Sequence, residues 1–307
     1  MTPREAVGSG AAGGARGEGG APGGDVPTVA FQGELGAFSE EAVETFFRGY
    51  AVPLPRREFR DLAASVVAGE ADFGMLPVEN SVAGSVLPAH DVLLSSELAV
   101  VGEVIRPIRH FLLGVPGATL DAVTRVISHP VALAQCTRFL AEHPSFEAVA
   151  VYDTAGAARD VAGRGDPAVA AVAARGAARR YGLAVLAEDL QDRRDNQTRF
   201  LVVTHPGRVL PRGAGGDGPI KTALVVETEN RPGALVEVLL PFAERGINLT
   251  KLESRPGERP WTYRFFLELQ ADAGEAPAAE ALAEIGRRAG ALRVLGSFPS
   301  WTGDEEE

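Results

Sequence analysis

The sequence predicts two folded domains joined by a short linker: an α/β domain from Val26 to about His205 and a smaller α+β domain from Ile220 onward. Short apolar runs alternate with helix-like segments in the first part, as in a sheet built from βα units. A Gly- and Pro-rich stretch, residues 206–219, then interrupts every periodicity, which is typical of an interdomain linker. The elements after it follow the order βαββαβ, which is typical of a ferredoxin-like domain.

The predicted division of the chain has five parts. A Gly- and Ala-rich leader is expected to be disordered, because it holds too few large apolar side chains to form a core. The parts are the leader (residues 1–25), the first domain (26–205), the linker (206–219), the second domain (220–300) and an acidic tail (301–307).

The composition limits the kind of protein this is. The chain has 307 residues, 45% of them apolar and 23% charged, which is ordinary for a globular protein and excludes a collagenous or wholly disordered one. Its net charge of -11 disfavours a broad basic surface for nucleic acid or anionic lipid. No apolar run approaches the roughly 18 residues of a membrane span, so we expect no membrane partner and a cytoplasmic protein. The single cysteine, Cys136, permits no intrachain disulfide.

The first domain begins with a strand, Thr28–Gln32, and a glycine turn, Gly33–Ser39, which leads into a helix over Glu40–Phe47. The same order of strand, polar turn and helix recurs three times. The repeats are Phe73–Leu76 before Pro77–Ser81 and a helix over Ser85–Ser95, Arg125–Ile127 before Ser128–Pro130 and a helix to Glu142, and Val149–Tyr152 before Asp153–Thr154 and a helix to about Ala162.

These turns indicate a site for a small anion. Free N–H groups at a helix start attract negative charge, and in open α/β sheets ligands bind beyond the carboxyl ends of the strands. The glycines between Gly33 and Gly36 lack the spacing of a dinucleotide-binding loop. The pattern therefore favours a small, multiply anionic ligand over a nucleotide.

Three further strands close the first domain: Ala168–Ala173, Leu183–Leu186 and Arg199–Thr204. Because successive side chains of a strand point to opposite faces, we expect Thr198 and Phe200 on one face and Arg199 on the other. The predicted elements of the second domain are a strand at Thr222–Glu227, a helix from Pro232–Gly233 to near Gly246, strands at Ile247–Ser254 and Trp261–Ala271, a helix at Ala276–Ala289 and a strand at Leu292–Phe298.

Several motifs of the first domain carry a family resemblance. They are Gly33–Ser39, Leu76–Ser81, Ser128–Pro130 with Ala134–Cys136, Asp153–Ala155 and Asn196–Phe200. In order and spacing they resemble those of prephenate dehydratases, over about Thr28 to Thr204. The second domain is similar to the ACT regulatory module of the same enzymes through Asn230–Leu235 and Ile247–Pro256.

The resemblance implies a two-lobed catalytic domain like that of periplasmic solute-binding proteins, followed by a ferredoxin-like ACT domain. The expected lobes are Val26–Gly102 with Leu186–His205, and Glu103–Val185 between them. A substrate cleft is expected where the lobes meet.

The resemblance also implies a reaction: decarboxylation and dehydration of prephenate to phenylpyruvate, a step of L-phenylalanine biosynthesis. Aromatisation drives the reaction, so the protein has to hold a dianion, remove water from the leaving carboxylate and assist the departing hydroxyl. We expect no metal and no other cofactor.

By the resemblance, Thr198 is the catalytic residue and donates to the departing C4 oxygen, either directly or through a relay. Glu79 either relays a proton to Thr198 or has only a capping or ion-pairing role. Phe200 either lines the pocket for the substrate ring or only anchors its own strand. The predicted substrate-binding residues are Glu79, Asn80, Ser81, Ser128, Gln135, Thr154 and Phe200.

The ACT resemblance implies feedback inhibition by L-phenylalanine in a homodimer or homotetramer; the alternative is a purely structural dimerisation module. The predicted effector-binding residues are Asn230, Pro232, Gly233, Ala234, Leu235, Val236, Glu253, Ser254 and Arg255.

Two other functions remain open. Arogenate dehydratases share these motifs, and arogenate differs from prephenate by an amine in place of the keto group. A non-catalytic cytoplasmic amino-acid sensor would close on a ligand without product. Only the leader precedes Val26, so a monofunctional enzyme without chorismate mutase is expected.

Overall fold

The computed structural model describes residues 26–257 and 259–303. The predicted leader, residues 1–25, and the last four residues of the predicted acidic tail lie outside the described residues. Within the described part of the chain, no helix is long and apolar enough to cross a membrane.

The first lobe starts with βα units whose strands pair in parallel. Each helix turns an apolar stripe inward, such as Leu62 and Val66 of the second helix, which are buried against the sheet. The elements are β1 (Thr28–Gln32), α1 (Phe38–Phe46), β2 (Val52–Arg56), α2 (Phe59–Val67), β3 (Phe73–Asn80), β4 (Gly84–Ser85), α3 (Leu87–Ser95) and β5 (Ala99–Pro107).

The second lobe is a five-stranded sheet with its own core. Its central strand is buried over its whole length, as expected for a strand covered on both faces. The elements are β6 (Phe111–Gly114), a short 3-10 turn (Leu120–Ala122), β7 (Arg125–Ser128), α4 (Pro130–Ala134), α5 (Thr137–Glu142), β8 (Glu147–Ala150), α6 (Thr154–Arg164), β9 (Val169–Ala173), α7 (Arg175–Tyr181) and β10 (Ala184–Ala187), in the sheet order β10-β6-β9-β7-β8.

The chain then returns to the first lobe. Strand β11 (Gln197–Thr204) inserts between β3 and β5 and runs antiparallel to both. The sheet order is β2-β1-β3-β11-β5, with β4 paired to the end of β3. The two lobes are therefore joined by two crossings, one after Pro107 and one before Gln197.

The C-terminal domain has the predicted βαββαβ order. Its four strands form one antiparallel sheet in the order β13-β14-β12-β15, covered on one face by two helices. The elements are β12 (Ile220–Thr228), α8 (Ala234–Glu244), β13 (Leu249–Pro256), β14 (Tyr263–Leu269), α9 (Ala276–Gly286) and β15 (Ala291–Pro299).

This domain packs on the first lobe through the other face of its sheet. Val225, Phe266 and Phe298 belong to the same buried cluster as Leu62 and Leu76 of the first lobe. Alternation explains this, because Leu224 and Val226 point instead to the helices α8 and α9. Burial of apolar side chains at about 25 cal/mol per Å² makes such shared cores stabilising.

The predicted linker also packs on the first lobe. Leu210 and Ala214 lie against the cluster around α1, and the backbone N–H of Gly215 donates to the carbonyl of Phe46 at 3.2 Å. The segment therefore contributes to the packing of the first lobe as well as connecting the two domains.

Several boundaries differ from the sequence-based expectation. The expected lobe boundary at Gly102 and Glu103 is wrong, because β5 continues to Pro107 as the edge strand beside β11. Leu186, expected in the first lobe, belongs to β10 of the second. The expected turn at Pro77–Ser81 is strand as far as Asn80, and the expected single helix up to Glu142 is two helices, α4 and α5.

Candidate active site

A cavity of about 950 Å³ lies between the two lobes, where the resemblance places a cleft. Both lobes contribute to its wall, and no described residue of the C-terminal domain does. The polar and aromatic lining includes Phe38, Ser39, Asn80, Thr198 and Phe200 from the first lobe, and His110, His129, Gln135 and Thr154 from the second lobe and the adjoining crossing.

Asn80 and Thr198 are direct cross-strand partners at the ends of β3 and β11. The Asn80 side-chain oxygen accepts bonds from the backbone N–H groups of Val82 at 3.0 Å and Ala83 at 2.7 Å, which fixes the orientation of the amide. Its nitrogen consequently faces Thr198 and donates to the hydroxyl oxygen at 2.9 Å. Because the Thr198 oxygen accepts this bond, its own proton remains available to the cavity.

Gln135 connects this pair to the second lobe. Its side-chain oxygen accepts from Asn196 Nδ2 and lies 2.9 Å from His110 Nε2, and its nitrogen donates to the Asn80 oxygen at 3.4 Å. Since an amide oxygen only accepts, His110 carries its proton on Nε2. Burial lowers the pKa of His110, and the bond to Gln135 only partly offsets this effect. His110 is therefore neutral at neutral pH.

Two helix starts face the cavity from the second lobe. Asp153 caps α6 by accepting from the N–H of Gly156 at 2.6 Å, and Thr154 follows it into the cavity wall. His129 caps α4 by accepting from the N–H of Val131 at 3.3 Å. The start of α6 thus places Thr154 and the positive end of the helix dipole near the cavity.

A close approach between the lobes requires a glycine next to α6. Gly33 has φ of +118°, and a Cβ there would lie 3.1 Å from the carboxylate of Asp153. Burial raises the pKa of Asp153, although the N–H of Gly156 favours its ionised form. The Gly33 turn therefore lets the first lobe lie against the capped end of α6.

Thr198 and Phe200 face the cavity, as alternation predicted, and Arg199 points to the opposite face of the sheet. A β-bulge helps to preserve this arrangement: Arg199 pairs with Glu79 and Phe200 with Pro77, so Val78 is the extra residue. The bulge keeps both Pro77 and Asn80 in the cavity wall.

Comparison with known proteins identifies the family. The prephenate dehydratase profile matches residues 29–208, more than half of the chain, and the ACT domain profile matches residues 222–287. The chain belongs to the prephenate dehydratase family. Its ACT domain follows the two-lobed domain along the chain.

Two curated relatives of this family member illustrate the match. A bifunctional chorismate mutase/prephenate dehydratase of Stutzerimonas stutzeri is 39% identical over 88% of this chain and 73% of the relative. Arogenate dehydratase 2 of Petunia hybrida is 40% identical over 90% of this chain and 72% of the relative. The identities do not separate the two substrates.

Solved structures agree with the fold. The prephenate dehydratase of Arthrobacter aurescens in complex with L-Phe is 37% identical, with a TM-score of 0.81 over 89% of this chain and 90% of that chain. GqqA, described as a novel type of quorum-quenching acylase, is 34% identical, with a TM-score of 0.81 over 90% of this chain and 98% of that chain.

The structure brings together five of the eight predicted catalytic and substrate-binding residues of this family member: Asn80, Gln135, Thr154, Thr198 and Phe200. The other three lie outside the described cavity wall. The Glu79 carboxylate lies 3.0 Å from Lys251 of the C-terminal domain. The Ser81 hydroxyl donates to the carbonyl of Asp195, and the buried Ser128 hydroxyl donates to that of Val172.

Sequence reasoning missed three contributors to the site. Asn196 and His110 complete the hydrogen-bond network, and Phe38 lies edge-on to the His110 ring at 5.5 Å between centroids. Asn196 stood inside a recognised motif but resembled part of a surface loop. His110 had no neighbouring sequence signal, and only the lobe crossing brings it to Gln135. Phe38 stood in the recognised Gly33–Ser39 motif but was not named as a site residue, because its contact with His110 depends on the tertiary fold. The buried Cys136 is not in the cavity wall, and burial raises its pKa to about 12.

The predicted effector residues divide into two groups in the ACT domain. Gly233, with φ of +82°, precedes α8, and Asn230 and Pro232 lie in the exposed loop before it. On β13, the side chains of Glu253 and Arg255 bind the first lobe instead of solvent: Glu253 accepts from Ser85 at 2.6 Å and Arg255 donates to Asp91 at 2.7 Å. Together with Ala234, Leu235, Val236 and Ser254, they remain proposed effector residues.

Proposed function

We propose that this chain converts prephenate into phenylpyruvate in the cleft between its lobes. The arrangement of Thr198 carries the proposal. Its oxygen accepts from Asn80, whose amide is oriented by two backbone N–H groups, so the Thr198 hydroxyl proton is available to a substrate in the cleft. The site is thus built to donate one hydrogen bond at a fixed position.

The reaction needs such a donor. Loss of CO2 and hydroxide from prephenate leaves phenylpyruvate, and a proton supplied to the departing oxygen turns the hydroxide into water. A threonine hydroxyl is a weak acid, so Thr198 stabilises the departing oxygen by a strengthened hydrogen bond, or it relays a proton from solvent. General acid assistance of this kind is typically worth about 10² to 10⁴ in rate.

The remaining groups suit a dianionic substrate. The cavity wall offers the start of α6 at Thr154 and the neutral amide of Gln135, to which Asn196 donates. Phe38 and Phe200 provide apolar surface for the ring. Because closing the lobes removes water from the leaving carboxylate, its charge is less stabilised and CO2 departs more readily.

The substrate test is a comparison of kcat/KM for prephenate and arogenate with the purified protein. We expect turnover of prephenate, and a higher kcat/KM for arogenate would reassign the substrate. Ligand-induced closure without product from either compound would instead favour the amino-acid sensor. An acylase reading is less favoured, because Thr198 is paired with an amide donor and not with a general base.

Regulation, assembly and location are proposed on the family resemblance. L-phenylalanine binds the ACT domain and inhibits turnover, and the chain forms a homodimer or homotetramer in the cytoplasm. The Arthrobacter aurescens relative was solved in complex with L-Phe, which supports the effector. Inhibition curves with phenylalanine, and light scattering with and without it, test the effector and the assembly.

A further inference from the structure

The ends of β3 and β11 carry a second pair of residues on the face of the sheet opposite Asn80 and Thr198. Glu79 and Arg199 are cross-strand partners, one residue from Asn80 and Thr198 in the same two strands. Because side chains alternate along a strand, this pair points away from the cleft and toward the C-terminal domain. The two pairs therefore lie back to back on one piece of sheet.

The C-terminal domain presents a matching pair. Lys251 of β13 and Glu268 of β14 are themselves cross-strand partners. Lys251 Nζ lies 3.0 Å from Glu79 Oε1, and Arg199 Nη1 donates to Glu268 Oε1 at 2.8 Å. Each acidic residue thus meets a basic one across the domain boundary. We call Glu79, Arg199, Lys251 and Glu268 the charge quartet.

One half of the charge quartet is deeply buried. The Arg199 side chain is 12% exposed and that of Glu268 is 1% exposed. Arg199 Nε also donates to the fully buried Glu103 of β5 at 2.6 Å, and Lys221 of β12 binds the same carboxylate at 2.7 Å. Removal of one partner from such a network leaves an uncompensated buried charge, so loss of a single member is costly.

We propose that the charge quartet is a positioning element through which the ACT domain holds Asn80 and Thr198 in register for catalysis. The inference rests on the proposed function, and it adds that the regulatory domain takes part in organising the active site. Thr198 is the second residue of β11 and Asn80 the last of β3, so both stand where strands fray unless anchored. Glu79 and Arg199 each lie one residue further inside the same strands, where their ion pairs anchor the strand ends.

The more exposed half of the quartet permits a charge swap. Glu79→Lys and Lys251→Glu each place like charges together, and we expect each single change to lower kcat about tenfold with KM changed less than about threefold, since small misplacements of reacting groups are costly. The double swap restores an opposite-charge pair across the domain boundary but places like charges opposite Arg199 and Glu268 within each sheet. We therefore expect kcat to rise above that of both single variants without reaching that of the parent.

The buried half gives the larger expected loss. We expect Glu268→Gln, which keeps the shape and removes the charge, to lower kcat by about 10- to 100-fold. The matched control is Arg293→Met, because Arg293 of β15 also crosses the domain boundary, to the carbonyls of Leu93 and Ser96, but touches neither catalytic strand. Its kcat should remain within about twofold of the parent; an equal loss would show that domain docking in general, and not the quartet, is responsible.

A readout independent of turnover separates this inference from the proposed function. In Lys251→Glu we expect faster backbone hydrogen exchange in peptides that cover residues 73–80 and 197–204, and partial reversal of this effect in the double swap. The inference would be overturned if Glu79→Lys, Lys251→Glu and Glu268→Gln all kept the parental activity and the parental hydrogen exchange. Absence of prephenate turnover in the parent would refute the proposed function, while the exchange result would still decide whether the quartet orders the strands.

Discussion

At the ends of β3 and β11, the face that lines the cleft and the face against the ACT domain differ in charge. The cleft face carries the neutral Asn80 and Thr198, whereas the opposite face carries Glu79 and Arg199 in ion pairs with the ACT domain. A dianion in the cleft needs donors but no competing carboxylate, so neutral groups suit that face. The domain interface can bury ionised groups because each has a partner.

Strand β11 therefore serves two domains, because its successive side chains point to opposite faces of the sheet. A shift of one residue in the register of β11 would place Arg199 in the cleft and Thr198 in the interface. The bulge at Val78 and the ion pairs of Arg199 both oppose that shift.

The largest effect is expected on the cleft face. Thr198→Ala removes the hydroxyl, and we expect kcat to fall by roughly 10² to 10⁴ because the departing oxygen loses its donor. Thr198→Ser keeps the donor and should retain most of the turnover. Steady-state rates with prephenate measure the effect, and parental turnover in Thr198→Ala would refute the assignment of this residue.

Asn80→Asp should cause the next largest loss. A carboxylate still accepts from Val82 and Ala83, but it cannot donate to Thr198, so the threonine proton turns toward it and away from the substrate. The added charge also repels the dianion. We expect kcat/KM to fall by about 10² to 10³. Thermal stability should fall as well, because the carboxylate would face the Asn196 side-chain oxygen and the Gln197 carbonyl, which now accept from Asn80. A fall confined to thermal stability would contradict the role given to this amide.

Gly233→Val tests the predicted phenylalanine site of the ACT domain. Gly233 has φ of +82°, a conformation that valine adopts only with strain, and the change disturbs the loop before α8. We expect the phenylalanine concentration for half-inhibition to rise about tenfold or more, with most of the turnover retained.

Gly246→Val is the matched control for this regulatory prediction. Gly246 has φ of +65° and lies just beyond the other end of the same helix, so the backbone strain is similar but the predicted effector loop is untouched. Its inhibition curve should match that of the parent. Equal curves for all three proteins would remove Gly233 from the effector site.

The smallest expected effect concerns pH at the domain interface. His90 of α3 is fully buried beside Phe266 of the ACT domain, and burial lowers its pKa from the ordinary value of 6.5. Below that value the unfolded chain binds a proton that the folded chain does not, so stability falls as the pH decreases. The free energy of unfolding of His90→Leu should therefore decline less steeply between pH 7 and pH 5 than that of the parent. The difference in slope should be at most about 1.4 kcal/mol per pH unit.

The same substitution at exposed His205 supplies the reference slope for this measurement. Its free energy of unfolding should follow that of the parent through the same pH range. A parental slope in His90→Leu would show that His90 does not carry the predicted linkage.

Local sequence determined the elements and the catalytic motif. Apolar runs, caps such as Asp153 and the alternation around Thr198 act over a few residues, so they predicted βα units, the βαββαβ domain and the face that Thr198 shares with Phe200. They also predicted Asn80 and Gln135, because both stand in recognisable motifs. The strands β2, β4, β5 and β6 and the helices α2 and α7 were missed.

Tertiary structure alone decided which side chains meet. Glu79 stands beside Asn80 in the sequence but binds Lys251, and His110 reaches Gln135 only because the chain crosses between lobes there. The charge quartet joins four residues from two domains and no local pattern contains it. Contacts between distant segments depend on strand order, register and domain docking, which are set by the packing of the whole chain and not by its local periodicity.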